Sequence, residues 1–240
     1  MVKKHLKTLT AKRTWDIERK ATKYISRPFP GKHSLMYAHS LNDILKKLDF
    51  SDTKKDSKNI LKLNELFIDN VKVKEVRYNI GFMDVLSIPK EKLYFRVILT
   101  ARGKIEPIAI DEKQANLKIL QIKGKHLVGK NKLQLACHDG RNVLTDNNDI
   151  KVNDSIVFDL AKKEIKKHLK LEVKSKILLI GGGNIGSFGE ISKIEGKEIF
   201  FKIGKDEHSS IKDYTFVIDE SVKIQWIQWK KLGSRKLPLM

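Results

Sequence analysis

Three groups of residues have the types and spacing that could do chemistry: Gly181 to Gly186, Cys137-His138-Asp139, and the lysines at 54, 58 and 62. The first has the G-x-G-x-x-G spacing of a dinucleotide fingerprint, with Asp206 about twenty residues on. That chemistry needs a helix opening on the glycines, so that its N-terminus holds a pyrophosphate. Phe188-Gly189, Ile191 and Ile194 instead continue in strand periodicity, and no Lys-Ser/Thr follows the last glycine as a Walker A loop requires. A glycine-rich turn between strands is the expectation. The second group has the composition of a nucleophile, a base and an orienting acid. No other histidine or cysteine has matching spacing, however, and His138-Asp139-Gly140-Arg141-Asn142 reads as a hairpin turn with Gly140 at positive φ and Arg141 projecting outward. No catalytic residue, metal site or cofactor is therefore expected. Lys54, Lys58 and Lys62 recur every four residues, one face of a helix, and suit successive phosphates of a nucleic-acid strand.

The elements that must carry these residues follow from caps and periodicity. Ser40 with Asp43 forms a capping pattern, followed by Leu41, Ile44, Leu45 and Leu48 at helical spacing. Thr53 with Asp56 caps a second helix through about Lys62, with Ile60 and Leu61 facing inward. Phe67 and Ile68, an Asp69-Asn70 turn, and Val71 with Val73 predict a β-hairpin. Gly81 to Ile88 reads as a strand stopped by Pro89. From Tyr94 to Leu160, short apolar runs punctuated by Arg102-Gly103, Lys123-Gly124, Asp139-Gly140 and Asn147-Asn148 predict a small β-barrel or sandwich. Ala161 to Lys170 has helical composition and predicts a short linker helix. A last β unit follows from Lys176 to Ile218.

Charge decides the class of partner. The chain of 240 residues carries 49 Lys/Arg against 29 Asp/Glu, a formal +20, which points to a polyanion. The excess lies at the ends: ten Lys/Arg against Asp16 and Glu18 in residues 1–36, and five with no acid in residues 221–240. The first 36 residues mix these cations with Trp15, Tyr24 and Phe29 and show no sustained period. Such a segment has little apolar surface of its own, so it is expected to be disordered until it folds on RNA. One cysteine excludes an internal disulfide framework, and no apolar run is long enough to span a membrane. No apolar h-region follows the basic start, so a secretory signal is not expected.

These residues together resemble the archaeal and eukaryotic ribosomal protein family S-four-e. His5-Leu6-Lys7, Trp15 and Arg19-Lys20 resemble its N-terminal signature, and Arg27-Pro28-Phe29-Pro30-Gly31-Lys32-His33 its Arg-Pro-x-x-Gly-Pro-His element. The two helices with their hairpin resemble the alpha-L RNA-binding module, Gln134-Leu135 with His138 to Asn142 the central-domain signature, and Gly181 to Gly189 a KOW turn. Lys32, where the family commonly has proline, and Gly183 and Ser187, where it commonly has basic residues, depart from the pattern.

The resemblance implies an α+β, multi-domain chain. Its expected parts are a basic extension (1–38), an alpha-L domain (39–90), a central β-domain (91–172), a KOW, SH3-like barrel (173–220) and a basic tail (221–240). It implies a non-enzymatic, cytoplasmic constituent of the small ribosomal subunit whose partners are its rRNA and neighbouring ribosomal proteins, with no membrane or small-molecule substrate. Alternatives are an RNA-binding assembly or transcription factor, or the RNA-binding part of a modifying enzyme. The residues expected on rRNA are Lys3, Lys4, Lys7, Lys12, Arg13, Trp15, Arg19, Lys20 and Arg27 in the extension. To these are added Lys54, Lys55, Lys58 and Lys62 on the second helix, and Arg141. Asp69, Asn70, Gly140, Gly182, Gly186 and Gly189 are expected to shape turns.

Overall fold

The computed structural model describes residues 5–128, 132–204 and 206–219. It is mostly β-strand with few helices, and the chain divides into two compact units. The first is drawn from residues up to 98 and from 104–116, the second from 99–103 and the stretch beginning at 117.

The first unit opens with β1 (Leu6–Lys7), which pairs antiparallel with β2 (Tyr24–Ile25). Strand β3 (Ala38–Ser40) leads into helix α1 (Leu41–Lys47), where the Asp43 amide donates to Ser40 Oγ at 3.3 Å. Helix α2 (Lys54–Leu63) starts on a full capping box: the Asp56 amide donates to Thr53 Oγ1, and the Thr53 amide to the Asp56 carboxylate. The hairpin β4 (Phe67–Ile68) and β5 (Val71–Lys72) turns on Asp69 and Asn70 at φ of 50° and 62°, the left-handed pair that a two-residue loop demands. The chain from Gly81 to Ile88 is not one strand: β6 (Asn79–Gly81) pairs with β3, a turn intervenes, and β7 (Val85–Ile88) joins β4. Met83 takes φ 66° in that turn, which breaks the extended run. Strands β8 (Leu93–Leu99) and β9 (Ile105–Ala109) extend the sheet to the order β5-β4-β7-β8-β9 before the short helix α3 (Glu112–Ala115). The boundary expected at residue 90 thus falls inside a sheet, because β7 and β8 share a ladder. Leu41, Leu45, Ile60, Leu66, Ile80 and Phe95 are buried between helices and strands, each contributing roughly 1.5–3 kcal/mol.

The second unit contains two five-stranded antiparallel sheets. β10 (Leu117–Val128), β11 (Lys132–Cys137), β12 (Asn142–Thr145), β13 (Ser155–Asp159) and β14 (Glu164–Leu169) form the first, in the order β12-β11-β10-β13-β14. The stretch expected as a linker helix is strand β14. Pairing with β13 overrides its helical composition, and Lys166 reaches the Asp159 carboxylate at 2.8 Å. β15 (Lys176–Leu179), β16 (Phe188–Glu195), β17 (Glu198–Ile203), β18 (Asp206–Ile211) and β19 (Thr215–Val217) form the second, ordered β18-β17-β16-β15-β19. The glycine turn leads from β15 into strand β16 without a helix, as the spacing of apolar residues predicts. Gly182 and Gly186 sit there at φ of 85° and 78°, and a Cβ on Gly186 would lie 1.8 Å from the Thr100 carbonyl. Gly189 does not shape the turn: it lies in β16 opposite Ile177, where a Cβ would come within 2.9 Å of the Lys202 carbonyl.

Candidate nucleic-acid interface

Helix α2 separates its faces cleanly. Ser57 and Ile60 are buried, and the Ser57 hydroxyl lies 2.8 Å from that of Ser51, which ties the helix to the unit. Lys54, Lys55, Lys58 and Lys62 are all exposed and lie within an arc of about 100° on the other side. Among the described residues none of the four makes an ion pair. Their charge runs along about 12 Å of helix, moderated at Lys55 by the neighbouring Asp56 carboxylate, and is available to phosphates. Leu61 is only half-buried, so Ile60 does most of the anchoring expected of the two.

The N-terminal segment departs from expectation. From residue 5 it is packed onto the first unit rather than lacking a core. Trp15 is 1% exposed and stacked on His39, ring centroids 4.5 Å apart. Its ring cannot also receive an RNA base, so Trp15 belongs to the core and not to the rRNA-binding set. The segment borrows apolar surface from its neighbours, which a reading of its own residues could not reveal. Polar ties reinforce the packing: Asn79 Nδ2 donates to the carbonyls of Phe29 and His33, and Thr14 Oγ1 to that of Met36.

Lys32 and His33 are held by two buried carboxylates. Lys32 Nζ lies 2.7 Å from Asp69, whose other oxygen accepts the Val85 amide. His33 Nε2 lies 3.0 Å from Asp84, which also accepts the Gly81 amide. Asp69 therefore does more than shape its turn. Nearby Arg96 is buried, and burial lowers it to about 10 while Asp69 pulls the other way, so it stays charged at neutral pH.

Of the cations expected on RNA, Lys7, Lys12, Arg13, Arg19 and Lys20 are exposed. Lys3 and Lys4, like the basic tail 221–240, lie outside the described residues. Arg27 is half-buried, and its carbonyl accepts Arg77 Nε at 2.8 Å. The Arg77 guanidinium in turn lies 4.4 Å from the Phe29 ring centroid, an aromatic–cation plate that its isolated sequence position did not announce.

Arg141 does not project freely. Its Nε lies 3.1 Å from Asp139, which also pairs at 3.0 Å with Lys118, and both side chains of that pair are fully buried. Burial pushes the Asp139 carboxyl up, but Lys118, His138 and the Arg141 amide overcome this and hold it below the usual range. Arg141 thus helps neutralise a buried acid, a role in the fold. Gly140 takes φ 76° in the turn, as expected.

His138 Nδ1 accepts the Gln121 amide, and its ring meets Phe216 edge-on at 5.4 Å. Gln121 Nε2 donates to the Thr215 carbonyl at 2.7 Å, so the same residues join the two sheets of this unit. Burial, with Asp139 adding to it, raises the Cys137 thiol to about 12. At neutral pH it is a protonated core residue, without the thiolate a nucleophile needs. Among the described residues, no group of three or more His, Cys, Asp or Glu could hold a metal ion.

Known proteins share this arrangement. Residues 91–165 match ribosomal family S4e, and residues 2–36 match the RS4NT (NUC023) domain. Small ribosomal subunit protein eS4 of Archaeoglobus fulgidus is 31% identical over 91% of this chain and 94% of its own length. The Thermoplasma volcanium protein of that name is 33% identical over 88% and 91% respectively. The crystal structure of 30S ribosomal protein S4e from Thermoplasma acidophilum superposes with a TM-score of 0.67 at 29% identity, covering 76% of this chain and 95% of that one. With a helical face of unpaired lysines on a mostly β scaffold, and relatives matched over nearly their whole length, this chain belongs to the S4e family of small ribosomal subunit proteins.

Proposed function

We propose that the protein is a structural constituent of the small ribosomal subunit and binds its rRNA, with α2 as the principal contact and the exposed N-terminal cations beside it. The observation that carries this reading is the stripe Lys54, Lys58 and Lys62 with Lys55 alongside, exposed, without ion pairs, and backed by buried Ser57 and Ile60. Phosphates supply the missing charge, and counterion release drives the contact. We read α1, α2 and the β4–β5 hairpin as the alpha-L module, and the β15–β19 sheet as the KOW unit. The role is architectural: orient and neutralise RNA, with no reaction catalysed. The site of action is then the ribosome in the cytoplasm, beside other ribosomal proteins. Sedimentation of small subunits through a high-salt sucrose gradient tests the reading. The protein is expected to stay with the subunit, and its recovery in the soluble fraction would mark a visiting factor instead.

A further inference from the structure

A groove of about 760 Å³ opens on the first unit between the N-terminal segment and α1. It is large enough for a nucleotide. Ile17, Ile25 and Ile44 supply apolar wall, and Tyr24, 51% exposed with His5 edge-on at 5.7 Å and Lys23 Nζ 5.5 Å from its ring centroid, stands beside them as an aromatic surface. The groove's polar lining includes the acceptors Glu18, Asp43 and Asn42. Glu18 is exposed and makes no ion pair among the described residues, Asp43 already accepts from Ser40 Oγ at 2.7 Å and Asn42 Nδ2 at 3.2 Å, and Asn42 Oδ1 is buried with no hydrogen-bond partner. A buried acceptor without a partner is costly to the fold and marks a place where a donor is wanted. Thr8 Oγ1, in the same lining, is likewise buried and unpartnered.

Lysines stand beside these acceptors. Lys47 is occupied by Asp16 and Glu106 at 3.2 Å each, but Lys46 and Lys54 are exposed and make no ion pair among the described residues. Lys54 both lines the groove and begins the α2 stripe, so a strand tracking Lys62, Lys58 and Lys54 arrives at the opening. The ligand must therefore offer donors and negative charge together. A cationic peptide has the donors but is repelled by Lys46 and Lys54; a nucleotide has both. Among the four RNA bases, guanine alone presents two adjacent donors, N1–H and the N2 amine, on its Watson–Crick edge.

We propose that this groove takes a single unpaired guanosine from the RNA strand that follows α2. The base lies against the isoleucines and Tyr24, its donor edge meets the acceptors Glu18 and Asn42, and its flanking phosphates lie on Lys46 and Lys54. This rests on the RNA-binding reading above and adds base selectivity to it. Sequence-specific recognition of RNA works this way on unstacked bases, by stacking plus edge hydrogen bonds.

The test uses the full chain and labelled twelve-nucleotide RNAs: oligouridine, and the same strand with one central guanosine, inosine, adenosine or cytidine. Fluorescence anisotropy should show the guanosine strand binding about tenfold more tightly than oligouridine, with inosine, which lacks the N2 amine, in between. Glu18→Gln and Tyr24→Ala, both at exposed positions, should each cut that preference to threefold or less. Lys58→Ala with Lys62→Ala should weaken all strands by one factor and keep the preference. In the unmodified chain, 6-thioguanosine at the central position should crosslink within residues 17–26 or 42–54. Binding that depends on the α2 lysines but shows no guanosine preference, or a crosslink elsewhere, overturns the groove assignment and leaves the parent reading standing. If no strand binds and the chain does not travel with subunits, both fall.

Discussion

Asp139 shows how much one buried charge can carry. It lies within the β11–β12 turn, its side chain fully buried and paired with Lys118 and Arg141. Removing one member of such a pair strands the other in a low dielectric. Lys118→Met is therefore expected to cost about 3–5 kcal/mol in urea unfolding. Replacing both with apolar residues should cost much less, because no charge is left uncompensated. The sign of the pH dependence follows from the lowered pKa of Asp139. A carboxyl depressed in the folded state contributes stability that is fully present above its unfolded value, about 3.9. That stability is lost as pH falls through the folded value. Stability should thus be level near neutrality and decline below about pH 4, less steeply in Asp139→Asn, which starts lower. Asp69 is likewise a buried acid holding a cation and a backbone amide. Asp69→Ala frees the Val85 amide and Lys32, and should destabilise the first unit by about 3 kcal/mol while leaving the salt dependence of RNA binding unchanged.

Helix α2 is an element whose two faces can be tested separately. Replacing Lys54, Lys58 and Lys62 by Ala should weaken rRNA binding and flatten the log–log salt dependence by roughly 2 units, since each phosphate contact contributes about 0.7–0.9. Exposed lysines without ion pairs contribute little to the fold, so the unfolding midpoint should barely move. An unchanged salt slope would make the stripe an ordinary solvated face. At the helix start, Thr53→Ala removes the acceptor of the Asp56 amide, and about 1 kcal/mol of stability with it, without touching a lysine. The N-terminal segment is the other element with a sharp expectation. The Thr8 amide donates to the Lys23 carbonyl and the Phe29 amide to that of Arg77, while Trp15 is buried. The amides of Thr8, Trp15 and Phe29 should therefore be protected from hydrogen exchange before any RNA is added. Rapid exchange throughout would return the segment to folding on its target. Trp15→Ala should cost about 3–5 kcal/mol and release the segment.

For the whole molecule the governing quantity is the formal charge of +20. Self-repulsion among like charges opposes folding and attracts polyanions, and salt screens both. Raising the ionic strength of the free protein should thus raise its melting temperature by roughly 2–5 °C while its affinity for rRNA falls. Scanning calorimetry beside binding titrations would show the opposed trends, and a melting temperature that falls with salt would mean specific surface ion pairs dominate over net repulsion.

Local signals were legible wherever the sequence neighbours of a residue decide its state. The N-cap at Ser40, the capping box at Thr53, the left-handed Asp69-Asn70 turn, the positive φ of Gly140 and the lysine stripe of α2 all depend on contacts within four residues along the chain. So does the absence of a helix after Gly186, since helical and strand periodicities differ over a few residues. The partners of Trp15, Asp139, Lys118 and Arg141 could not be read this way. Arg141 has the same composition whether it faces solvent or a buried carboxylate, and Trp15 the same whether it faces RNA or His39. Strand β14 was hidden for the same reason, because its lysines favour a helix until β13 lies beside it. The sequence by itself determined the caps, the turns and the large net positive charge, all set by local sterics and composition. Only the tertiary structure decided which cations remain exposed and which are spent on buried acids, because burial and pairing join residues far apart in the chain.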